Sequence, residues 1–113
     1  MIAMQQWLKE QIALCRQKKA QLDADDRSDE AVFEQIRGNV YGIFDSVLEV
    51  ALKMPEGRAF FAQRLDQIPS AWRDALAKAI PHGDQQRIYI ETIKLETAAR
   101  IKNAFEGIWR EEA

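Results

Sequence analysis

Cysteine occurs once in these 113 residues, at Cys15, and histidine once, at His82. A single cysteine makes no internal disulfide, and one residue of each kind leaves no donor set for a structural zinc site. Nowhere is there a run of roughly 20 uninterrupted apolar residues, the length a membrane-spanning helix requires. Polar residues also stand near the N-terminus, where a secretory signal places its apolar stretch. The expectation is a cytoplasmic chain with no export and no bilayer insertion. A surplus of positive charge is missing too: 16 Lys and Arg against 18 Asp and Glu give a formal net charge of −2. Such a balance does not attract the polyanionic backbone of nucleic acid or an anionic membrane surface.

What is present is an ordinary globular mixture, 47% apolar and 30% charged, and the length is enough to enclose one core without staples. A single helical domain over residues 1–113 is expected. Advancing about 100° per residue gathers the apolar side chains onto one side in five segments. The first runs from Ile2 to Leu22, with Met4, Trp7, Leu8, Ile12, Leu14 and Cys15 on a broad face. Ser28 or Asp29 is placed to cap the second, which carries Val32, Phe33, Ile36, Val40, Ile43, Phe44, Val47, Val50, Ala51 and Met54. Pro55-Glu56-Gly57 ends it, since proline brings no amide and glycine tolerates turn dihedrals.

Two short helices follow in this reading. Phe61, Leu65 and Ile68 mark one that stops at Pro69; Ser70 caps the other, with Trp72, Leu76, Ala79 and Ile80. After Pro81-His82-Gly83, Asp84 caps a long final helix in which Ile90, Ile93, Thr97, Ala98, Ile101, Ala104, Phe105 and Ile108 recur, fraying beyond Trp109. No alternating run flanked by turns exists to build a sheet. The fold class is therefore all-α, a small helical bundle of three long helices plus two short connecting ones.

Carboxylates stack in pairs on the second helix, Glu30 with Glu34 and Asp45 with Glu49, but on its polar side, whereas helical metal enzymes aim their ligands inward and add histidines. They read as a solvated face. His82 sits in helix-to-helix punctuation, and Cys15 falls between Leu8 and Leu22 as a small core residue. Lys94 points between Ile90, Ile101 and Phe105, so it is a candidate buried charge that either snorkels, pairs with an acid of this chain or a second subunit, or binds a ligand carboxylate or phosphate. Arg87, Lys94, Arg100, Lys102 and Arg110 alternate with acids and form no basic stripe. A helix-turn-helix built from the two short helices offers only Arg73 and Lys78 to a DNA groove.

The irregular feature lies on the back of the second helix. Gly38, Gly42 and Ser46 line up at spacings of four, and glycine costs roughly 1 kcal/mol relative to alanine in a helix interior. Two in one helix suggest close approach of another backbone, from this chain or a second copy, the alternative being glycines tolerated there with no role. Tyr41, Tyr89 and Phe60 fall outside the main stripes, where aromatics suit an interface. No catalytic, metal or cofactor-binding residue is identified. The expectation is a non-catalytic protein acting through protein contacts, a homodimer or a partner-binding chain, with Gly38, Gly42, Ser46 and Tyr41 as interface residues. A small all-α enzyme with a carboxylate metal site, or a weak nucleic-acid-binding regulator, is the alternative.

Overall fold

The computed structural model describes the backbone of residues 2–112 and the side chains of residues 2–109. Four helices and no strand occur among the described residues: α1 (Ile2–Ala24), α2 (Ser28–Ala51), α3 (Gly57–Ala79) and α4 (Gln85–Glu112). The all-α class stands, but the two short helices are one. Pro69 lies inside α3, buried among its core-facing residues. Proline has no amide to bond the carbonyl four residues back, yet the helix continues. Nearby carbonyls are served by side chains, Ser70 Oγ donating to the Gln67 carbonyl at 2.6 Å and Arg73 Nη2 to that of Asp66 at 3.2 Å. With no turn between residues 57 and 79, the helix-turn-helix reading loses its motif.

The helix ends explain the other differences. The turn after α1 is a Schellman motif: Arg27 N–H bonds the Leu22 carbonyl at 2.8 Å and Asp26 N–H that of Asp23 at 3.3 Å, with Asp26 at φ 57°. The chain enters α2 directly from that turn, so Arg27 is the N-cap and neither Ser28 nor Asp29 makes a side-chain cap. A second Schellman turn closes α3, through Asp84 N–H to the Ala79 carbonyl at 3.2 Å and Gly83 N–H to that of Ile80 at 3.1 Å. Gly83 takes the left-handed position at φ 63°, and Asp84 caps α4 as expected, its Oδ1 accepting from Arg87 N–H at 3.1 Å. Helix α4 continues to Glu112 instead of fraying at Trp109.

Gly57 serves a different purpose from the one its turn position suggested. A Cβ on it would run into the Ala51 carbonyl, so the residue is there for close approach at the α2–α3 corner. Between these corners α1 and α2 run antiparallel, Lys9 reaching Asp45 and Cys15 packing on Gly38. Likewise α3 and α4 run antiparallel, Lys94 meeting Trp72 and Lys102 meeting Asp66.

The core is strung along aromatic contacts from three helices, Phe44 to Phe61 at 6.3 Å and Phe61 to Phe105 at 5.0 Å. From α1, Met4 and Leu8 complete it. Such burial, worth about 25 cal/mol per Å² of apolar area, drives assembly more than helix propensity does. The bundle is sheared: α2 packs on all three other helices, and among the described residues α1 and α3 do not pack on each other. A radius of gyration of 15.3 Å exceeds the about 13 Å expected of a compact chain this long. At 21 Å, the least dimension is about two helix diameters. A flattened arrangement of this kind leaves one flank of α2 uncovered.

Candidate functional site

Each proposed site residue has a definite place. Gly38 faces α1: a Cβ built on it would lie 3.4 Å from Cys15 Cβ, so the close approach is made within the chain. Gly42 has nothing within 4 Å of such a Cβ, and Ser46 is exposed. The three do not form one contact. Tyr41, assigned outside the apolar stripe, is 1% exposed in the chain's own core. Its ring meets Trp7 edge-on at 5.8 Å, and its hydroxyl has no hydrogen-bond partner among the described residues. Desolvation pushes the Tyr41 phenol pKa above its ordinary value.

Between α1 and α2 opens a cleft of about 430 Å³ floored by Gly38 and Gly42 and walled by Ile12, Arg16, Glu34 and Asp45. The acids of α2 are not a uniformly solvated face. Glu34 and Asp45 are mostly buried at this seam, Glu34 paired with Arg37 at 2.7 Å and Asp45 with Lys9 at 3.4 Å. Glu30 is paired with Arg27 beside the turn. Cys15 lines the same cleft, and burial, then the neighbouring Glu34, raises its thiol pKa, which makes it a poor nucleophile. No three His, Cys, Asp or Glu side chains gather to hold a metal ion among the described residues.

Lys94 is partly buried, and its partner is in the chain. The ammonium sits 3.4 Å from Glu91 Oε1 and 5.8 Å from the centre of the Trp72 ring. Arg87 binds the same oxygen at 3.3 Å. The buried charge is therefore Glu91, 1% exposed, whose second oxygen has no partner among the described residues. Sequence reading missed it because Glu91 lies at the margin of the α4 stripe, and only the placement of α3 decides which margin is covered. Lys102 pairs with Asp66 of α3, and the side chain of Arg110 lies outside the described residues.

A different feature stands out on α2. Of the apolar arc assigned to the core, Val40, Phe44 and Ala51 are buried, but Val32, Ile43 and Val50 are 53%, 41% and 52% exposed. With half-buried Ile36 and Val47 they recur every three or four residues, or twice that, along one flank. Gln35, Asn39, Gly42 and Ser46 of α2 border them, and Ile43 also lines the α1–α2 cleft, which Arg16, Lys19, Glu34 and Asp45 share. Among the described residues no helix is long and apolar enough to cross a membrane. No protein-family model, curated protein or solved structure matches the chain.

Proposed function

We propose that this chain acts by protein contact and not by catalysis, and that it self-associates through the uncovered flank of α2. The row of Val32, Ile43 and Val50, half exposed on one side of one helix, carries this reading. Single exposed apolar residues are ordinary on a protein surface; an aligned set along one helix is what marks a contact face. Gly42 and Ser46 keep the border of the row low, while Gly38 and Tyr41 belong to the chain's own packing. The free, buried Cys15 thiol suits the reducing compartment to which composition assigns the chain.

Solution mass across a dilution series, for the natural chain and Ile43→Asp, tests the proposal. The natural chain is expected to exceed its 13.0 kDa monomer mass when concentrated and to approach it on dilution. Ile43→Asp should stay monomeric while keeping its helical spectrum, because the side chain it replaces already faces water. A natural chain that is monomeric at every concentration overturns the proposal.

A further inference from the structure

We draw no further inference here: the strongest candidate, the cleft between α1 and α2 floored by Gly38 and Gly42, is a stripe of small residues between acids that Arg37 and Lys9 already pair, and nothing in the structure points to a ligand for it.

Discussion

Tyr41 and Glu91 are the residues whose burial runs against their chemistry. A phenol hydroxyl in the core without a hydrogen-bond partner loses its hydration and gains nothing in return, at a cost of roughly 1–3 kcal/mol. Tyr41→Phe keeps the ring and its edge contact with Trp7 and removes that cost. The expected outcome is a chain more stable by about 1 kcal/mol in urea unfolding. The pH response follows from the same burial. The folded pKa of Tyr41 is raised, so the unfolded chain loses this proton more readily than the folded one. The contribution is whole below the ordinary phenol value of about 10 and is lost as pH rises through the folded value. The fall in stability above that pH should therefore be shallower in Tyr41→Phe than in the natural chain. The raised thiol of Cys15 acts in the same direction from its own lower starting value, so part of the alkaline decline persists. Glu91 differs, because Arg87 and Lys94 both reach its Oε1. All three charges belong to α4, and only Trp72 of α3, lying against the Lys94 ammonium, carries the cluster across the α3–α4 seam.

Helix ends and the proline decide how far the elements could be read in advance. The Asp84 cap and the Gly83 turn are local chemistry, and both were visible as residue types at fixed offsets. Pro69 was not legible, because a proline ends a helix only if the segments beside it are free to separate. Here Leu65, Pro69 and Ala79 are buried along one continuous face, and side chains serve the disturbed turn. The charged stretch Asp23-Ala24-Asp25-Asp26-Arg27 marks the α1–α2 turn in the sequence, but not its form, which uses Asp26 in the left-handed conformation that glycine ordinarily supplies. A non-glycine residue there costs about 1–2 kcal/mol, although aspartate tolerates it better than most. Asp26→Gly is therefore expected to raise stability, by up to about 1 kcal/mol. Gly83→Ala should lower it by a similar amount at the equivalent position of the other Schellman turn. Thermal melting of the two variants makes the comparison, and equal shifts of the same sign would show that the turns do not share this mechanism.

Across the whole molecule, α2 faces in two directions that do different work. Toward α1 it offers Gly38 and a seam tied by Lys9 and Asp45; to solvent it offers Val32, Val50 and, at the rim of the α1–α2 cleft, Ile43. Periodicity found both as one wide apolar arc, since a single helix does not reveal how many neighbours will cover it. The sheared packing, in which α1 and α3 do not meet among the described residues, leaves the arc wider than its cover. The small-residue line was legible as a close approach, but only Gly38 makes one, because α1 follows the rim of that line and leaves Gly42 open. If the two directions are independent, substitutions on them should separate. Gly38→Leu must push a side chain into Cys15, and overpacking of this kind typically costs about 1–3 kcal/mol. Its melting temperature is expected to fall while the dimer contact survives in whatever fraction remains folded. Ile43→Asp is expected to do the reverse, lowering solution mass with little change in melting of the dilute chain, where both proteins are already monomeric. Paired measurement of mass and melting on the two variants distinguishes this from a coupled helix: if Gly38→Leu abolishes association at a temperature where it is still folded, the flanks of α2 are not independent, and the docking face extends through the helix to α1.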